Sequence, residues 1–396
     1  MSEIQVSNLH FESTGNNRIV YTGSNTLIAY AAGVEQWRAN TTGLFFANTA
    51  QVKADLGVPS IESMAIHNLM INGGMSVSQE NGTAAGNTTG YYPVDEFAMR
   101  VTGFDCDSWQ STETPSNNYS HSIQANVQIQ DASVGSTDSL NFQQRLEGTF
   151  TRKLGLGTAN AMPITVGFWS RCSTDLTYSY ALRSSGTDLS FIKELTLTGN
   201  TWTWNTFTML GTALGTWYSN TSVGIYQEVT LTTGSTFANA TTDSWISGNY
   251  IGTTTQDNFM GLGVGNTFNM TGMVMLPGEH TIAAADAHKF LLPYDHELRR
   301  CQRYYETIDD VFAGCSFNGV SSVVLFQTDF FKEKKRAVPS MSYTFTASRA
   351  GSSTAAYAGS TLGASAPTTT HHYYYIRNLS HTGGGTISNY RANARL

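Results

Sequence analysis

At 396 residues the chain is long enough for several structural units, and 40% hydrophobic residues supply the material for real cores. Charged residues make up only 13%, about half of the ~25% usual for soluble domains. Thr, Ser, Asn and Gly therefore carry the polar surface, which suits strands and turns and is hard to reconcile with an ordinary cytoplasmic enzyme. The formal net charge of −7 excludes the basic footprint of a nucleic-acid binder, and no apolar run approaches the ~18 residues of a membrane span.

The opening residues, Met1 to Thr14, carry neither a basic segment nor an apolar one, so no signal peptide is expected. Residues 18–46 hold short apolar segments (Arg18 to Tyr21, Thr26 to Tyr30, Val34 to Arg38, Thr42 to Phe46) spaced by Gly and Asn, the pattern of a β-meander. Residues 1–47 are expected to form an attachment or stalk segment of this kind, and residues 48–70 a linker. Its helical part is capped by Thr49 and ended by Gly57 and Pro59. From residue 71 to 310 the pattern is alternating strands with turn punctuation, as in Ser122 to Ile129, Pro163 to Trp169 and Gly224 to Leu231. Many short strands over this length predict a β-sandwich. One helix is expected over 295–307, capped by Asp295, with Leu298, Cys301 and Tyr305 on its buried stripe. Residues 311–396 return to β-structure, with a Ser-, Ala- and Gly-rich loop or tip over 348–369.

Signatures of catalysis are absent. There is no GxSxG elbow and no phosphate-binding GxxxxGK[ST]. His296-Glu297 begins like a zinc-protease helix, but Arg300 stands where its second His belongs. His371 and His372 are adjacent, hence on opposite faces of a strand, and do not ligate one metal together. No enzyme activity, cofactor or metal is expected. Cys106, Cys172, Cys301 and Cys315 are too sparse for a disulfide framework and read as reduced, mostly buried thiols. Two features point to binding. Trp202, Trp204, Trp217, Tyr218 and Trp245 crowd one stretch, either as core or as flat faces for sugar rings. Lys332, Lys334, Lys335 and Arg336 form a basic run, either a solvated turn or a weak contact for anionic surface polysaccharide.

Several segments also resemble a domain common in bacteriophage tail fibres. Asn72 to Gly82 is similar to its N-G-x-F/M opening, Tyr91 to Phe97 to a Y-x-x-D-x-W/F segment, Gln144-Arg-Leu-Glu147 to Q-R-[IL]-E, and Val166 to Arg171 to an F-W strand. The most specific is Pro293 to Tyr305, close to P-Y-x-x-E-L-x-x-C-Q-R-Y-Y; Leu298, Cys301, Gln302, Arg303, Tyr304 and Tyr305 belong to it. Phe331 to Pro339 and the terminal Ala392 to Leu396 also look like family features.

The resemblance implies an all-β chain: an N-terminal β-meander stalk, a jelly-roll-like β-sandwich with one packed helix and a C-terminal β tip, assembled as a homotrimer. It implies a virion protein that adheres to a bacterial surface glycan and holds to other virion proteins through its N-terminal segment. Synthesis in the host cytoplasm and release by lysis would reconcile an exterior-type surface with the lack of a signal peptide. A capsid fibre or decoration protein is the alternative. A polysaccharide depolymerase would need a carboxylate pair in a groove, and no such pair or β-helix repeat is evident. The shared motifs look architectural and carry over no ligand site.

Overall fold

The computed structural model describes the strands within residues 8–46, and residues 65–308, 311–315, 323–349, 361–364, 367–379 and 383–396. The chain divides into two compact units, residues 1–64 and 65–396. In the first, β1 (Asn8–His10), β2 (Arg18–Tyr21), β3 (Leu27–Ala31), β4 (Val34–Asn40) and β5 (Gly43–Phe46) pair in chain order as one antiparallel meander. The linker helix expected over 48–57 lies outside the described residues.

The second unit begins with β6 (Tyr91–Val94), β7 (Phe97–Thr102), β8 (Cys106–Ser111), β9 (Ser122–Val127), β10 (Ser139–Glu147), β11 (Ile164–Cys172), β12 (Leu176–Ser184), β13 (Leu189–Leu197), β14 (Thr203–Met209), β15 (Val223–Thr233), β16 (Ala238–Asn239), β17 (Trp245–Ser247), β18 (Gly252–Thr253) and β19 (Thr267–Pro277). They build a seven-stranded sheet, β17-β13-β12-β15-β10-β7-β6, and a five-stranded sheet, β14-β11-β19-β9-β8, with β16 and β18 pairing separately. The larger pairings are antiparallel, and the two sheets form a β-sandwich.

Strand periodicity dictates the layers. In β11, Ile164, Val166, Phe168, Ser170 and Cys172 are fully buried on one face, while Gly167, Trp169 and Arg171 lie on the other. Phe142, Tyr178, Tyr180, Leu182 and Val229 of the seven-stranded sheet are fully buried in the same core. Rings interlock between the sheets: Phe168 stacks on Tyr180 at 6.0 Å, while Tyr178 meets Phe268 at 5.4 Å and Tyr180 meets Phe207 at 5.2 Å, both edge-on. Each edge-on pair adds roughly 0.5–1.5 kcal/mol beyond area burial. Cys106, Cys172 and Cys301 are buried free thiols, as expected; the side chain of Cys315 lies outside the described residues.

The core starts earlier than the expected linker boundary at residue 70. Leu69 and Met70 are buried, the Leu69 N–H donates to the Met275 carbonyl, and the Asn68 amide donates to Met273 and Phe290. Leu69 and Met70 belong to the sandwich core because this segment lies along β19. The N-G motif that follows is architectural. Asn72 adopts φ 57°, and its side chain bonds Val77 and Asp95. Met273 N–H donates to the Gly73 carbonyl, and a Cβ at Gly73 would overlap the Met273 backbone.

The helix spans Tyr294–Gln302, is preceded by Pro293, and makes no side-chain cap. The expectation of a helix over 295–307 capped by Asp295 is thus corrected at both ends. Leu298, Cys301 and Tyr304 pack with Ile71 and Val77. Tyr305 leaves the helix to start β20 (Tyr305–Ile308), since pairing with Tyr390 to Asn393 takes its backbone bonds, and Tyr and Thr favour a strand.

The remaining strands are β21 (Val311–Cys315), β22 (Val323–Phe330), β23 (Ser340–Arg349), β24 (Thr361–Ala364), β25 (His371–Leu379) and β26 (Gly383–Asn393). β26 pairs with β20, β21 and β23, and β22-β25-β24 form a further sheet. The last residues return to the sandwich. Ala394 N–H donates to the Tyr304 carbonyl, and Arg145 Nη1 donates to Leu396. Residues 350–360, in the expected tip loop, lie outside the described residues.

Candidate functional site

The five aromatic residues singled out from the sequence separate into two groups. Trp204 sits opposite Trp169 in the β11–β14 register, on the outer face of the five-stranded sheet, with ring centroids 5.6 Å apart. Its indole N–H donates to the Ile282 carbonyl, and Trp169 donates to the Tyr119 hydroxyl. Gly167 leaves room for the ring, because a Cβ there would lie 2.5 Å from Trp204 Cζ2. Trp202 is half-buried just ahead of β14.

The second group closes the edge of the sandwich. Trp245 in the edge strand β17 packs edge-on against Phe191 at 5.6 Å and against Trp217 at 5.7 Å. Their indole N–H groups donate to carbonyls of one loop, Trp245 to Leu210 and Trp217 to Leu214. Both rings rest on the main core but stay partly exposed. In the same loop, Leu210 is 71% exposed and Tyr218 49%. The edge therefore combines a fixed aromatic pair with a solvent-facing apolar rim.

The basic run is corrected in half of its members. Lys335 is 1% exposed, and its Nζ donates to the Gln302 carbonyl and the Glu306 carboxylate while lying 4.9 Å from the Phe331 ring centre. Arg336 bonds the carbonyls of Ala394, Thr221 and Arg395. Both tie the C-terminal strands to the sandwich and are unavailable to a ligand. Lys332 and Lys334 remain exposed.

The C-Q-R-Y-Y residues likewise serve architecture. Arg303 holds Glu147 through two bonds of 2.8 and 2.9 Å, and Tyr304 donates to the same carboxylate. Glu297, buried, accepts from Asn72 N–H at 2.6 Å and pairs with Arg300. Arg395 lies between Tyr92 (3.7 Å) and Tyr305 (4.0 Å) and faces Glu80, Asp95 and Glu96. Its bond to Glu80 is direct, but its approaches to Asp95 and Glu96 lack hydrogen-bond geometry. Burial accordingly raises Glu96 to about 8, with Arg395 opposing the shift, and raises Asp95 as well.

One surface escaped the sequence. Phe150, 45% exposed, belongs to the Gly148–Thr151 turn and faces the cavities beside the Tyr294–Gln302 helix. It lines two adjacent cavities of about 390 and 260 Å³ together with Arg299 and Arg300. A single helical turn between strands has no periodicity to announce it. Among the described residues no three metal-ligating side chains gather, and no helix is long and apolar enough to cross a membrane.

No family model and no curated protein matches the sequence. Among solved structures, the chain is similar to the arabinose-bound MgGH51 α-L-arabinofuranosidase (13% identity over 57% of this chain, TM-score 0.29), of which it spans only 29%. It is also similar to TmCBM61 in complex with β-1,4-galactotriose (10% identity, 53% of this chain and 98% of that one, TM-score 0.27). A third is the N-terminal cellulose-binding domain of Cellulomonas fimi β-1,4-glucanase C (11% identity, 52% and 95%, TM-score 0.27). Scores this low carry no argument about function, and the sandwich assignment rests on the strand order and buried faces described above.

Proposed function

We propose that this chain is a bacteriophage virion fibre protein, most directly a tail fibre, whose β-sandwich adheres to a polysaccharide of the host cell surface. The observation that carries the binding reading is the aromatic edge: Trp217 and Trp245 are fixed by backbone carbonyls, partly exposed, and bordered by Tyr218 and Leu210. Rings held this way present flat apolar faces at little entropic cost, which suits stacking against sugar rings. The virion reading is supported by the Pro293 to Tyr305 segment and by the use its residues find here, as a clasp between the sandwich and the C-terminal strands. Binding without cleavage is the activity expected.

Assembly as a homotrimer belongs to the same reading. A single sheet of five short strands, such as β1 to β5, buries an apolar face only against another layer, and copies of the same sheet provide one. Three heads also multiply weak individual affinities.

The test is binding of fluorescently labelled protein to host cells beside a mutant lacking surface polysaccharide. Binding that disappears on the mutant, and weakens in Tyr218→Ala and Trp217→Phe variants of unchanged melting temperature, supports the reading. A folded protein that binds neither strain rejects it in favour of a purely structural fibre on the particle. In the same preparation, light scattering is expected to report three times the 43.0 kDa chain mass. Deleting residues 1–60 should leave a folded sandwich of lower oligomeric state.

A further inference from the structure

We infer that the groove between Phe150 and the Tyr294–Gln302 helix is a second binding site, built for a saccharide that carries negative charge. It shares with the reading above only the ligand class, since its residues are separate from the tryptophan edge.

Two adjacent cavities meet at Phe150. Ile66, 71% exposed, marks one side. Lys153 and His296 line the larger cavity, Lys334 and Glu333 the smaller, and Arg299 and Arg300 line both. The charges divide into two kinds. Arg300 is committed to Glu297 and the Asn68 carbonyl, and Arg303 to Glu147. The side chains of Lys153, Arg299 and Lys334 make no hydrogen bond or ion pair among the described residues. Glu333 offsets one of these charges, and the groove keeps a positive excess on a chain of net charge −7. Partial burial and the nearby Arg300 both push the Lys153 ammonium downward from its ordinary pKa, so like charges crowd here and outnumber the lining carboxylate, Glu333. An arriving anion relieves that crowding through charge-assisted hydrogen bonds.

Phe150 selects the rest of the ligand. Arg303 lies 5.6 Å from its ring centre, yet nearly half of the side chain faces solvent. A pyranose offers a face of C–H groups to such a ring and carries its carboxylate or sulfate at the rim, where Lys153 and Arg299 stand. A simple inorganic or organic anion would use the cations and leave the ring unused.

The experiment is isothermal titration of the full-length protein with trigalacturonic acid, galactotriose, citrate and a tetraglutamate peptide. Titrations are run at low salt and at about 150 mM, where screening shortens to about 8 Å. Trigalacturonic acid is expected to bind best and to weaken with salt. Its Kd should rise at least about tenfold (~1.4 kcal/mol) in the Lys153→Ala/Arg299→Ala double variant and in Phe150→Ala, with Val264→Ala, a 69% exposed position outside both sites, unchanged. All three groove positions are exposed or half-exposed, so the variants should melt like the parent. Equal binding of galactotriose, equal binding of citrate or of the peptide, insensitivity to the groove variants, or no binding at all would each overturn the inference. None of these outcomes bears on cell adhesion through Tyr218 and Trp217, which the labelled-protein assay reads separately.

Discussion

Between the two sheets of the sandwich the buried side chains are aromatic and aliphatic, whereas between the sandwich and the C-terminal strands they are charged. The first region holds the buried ring pairs Phe168–Tyr180 and Tyr178–Phe268. The second holds Glu147 with Arg303 and Tyr304, Glu306 with Lys335, and Arg395 with Glu80. Apolar burial is non-directional and tolerates rearrangement, as long as volume is filled. A buried ion pair adds little net stability against apolar isosteres, but losing one partner strands the other charge. The difference suggests that the core supplies stability and the clasp supplies a single arrangement. On that hypothesis, the conformation of residues 303–308 and 392–396 depends on a few named partners.

The largest effects should fall on both regions alike. Phe268→Ala is expected to cost about 3–5 kcal/mol through lost burial and a cavity. Glu147→Ala is expected to cost a similar ~3–5 kcal/mol, because Arg303 and Tyr304 lose their acceptor. Urea unfolding measures both, and a second substitution separates them. Adding Arg303→Met to Glu147→Ala should recover much of the loss, whereas no partner change rescues Phe268→Ala. If Arg303→Met adds its own full cost, the clasp is held by packing and the contrast fails.

Next in size is the Lys335–Glu306 pair, fully buried on both sides. Lys335→Ala alone should destabilise by roughly 3–5 kcal/mol at most, since Glu306 is left buried without its cation. Lys335→Met with Glu306→Leu should fall between no change and a gain of about 1–4 kcal/mol. Thermal melts decide it. A double variant as unstable as the single one would mean that the pair, with the Gln302 carbonyl and Phe331 beside it, contributes real net stability.

These contrasts also mark where the sequence could be read. Period-two alternation made the strand over Pro163 to Trp169 legible, because sheet burial depends on neighbours two residues away. The meander of β2 to β5 was legible through its even turn spacing, while β1 lies ahead of the expected segments. Lys335 was not. A run of Lys-Glu-Lys-Lys-Arg looks solvated, and its partner Glu306 lies 29 residues earlier. Arg395 is hidden more deeply, its partner Glu80 being 315 residues away. The crowded tryptophans misled in another way: β14 carries Trp204 to a sheet face, while the following loop carries Trp217 to the sandwich edge. Nearness in sequence was no guide to nearness in space. The Phe150 groove needed two distant segments to exist at all.

The most diagnostic prediction, small per pH unit, concerns the proton in the clasp. Arg395 faces three carboxylates with one charge, and burial raises Glu96 from 4.5 to about 8. A folded-state pKa above the unfolded one means that the folded protein binds the proton more tightly. The contribution is therefore fully present below about pH 4.5, declines through neutrality, and is lost above about pH 8. Its slope cannot exceed about 1.4 kcal/mol per pH unit for one proton. Asp95, also raised chiefly by burial, adds a change of the same sign. Stability measured by urea unfolding should thus fall between pH 5 and 8, and Glu96→Gln should flatten that fall while matching the parent near pH 5. Had Arg395 outweighed burial, Glu96 would be held ionised, stability would rise over the acidic range instead, and Glu96→Gln would cost stability at neutral pH. A rising profile would place the clasp among ordinary charge-balanced ion pairs, and its contrast with the core would then lie in geometry and not in protonation.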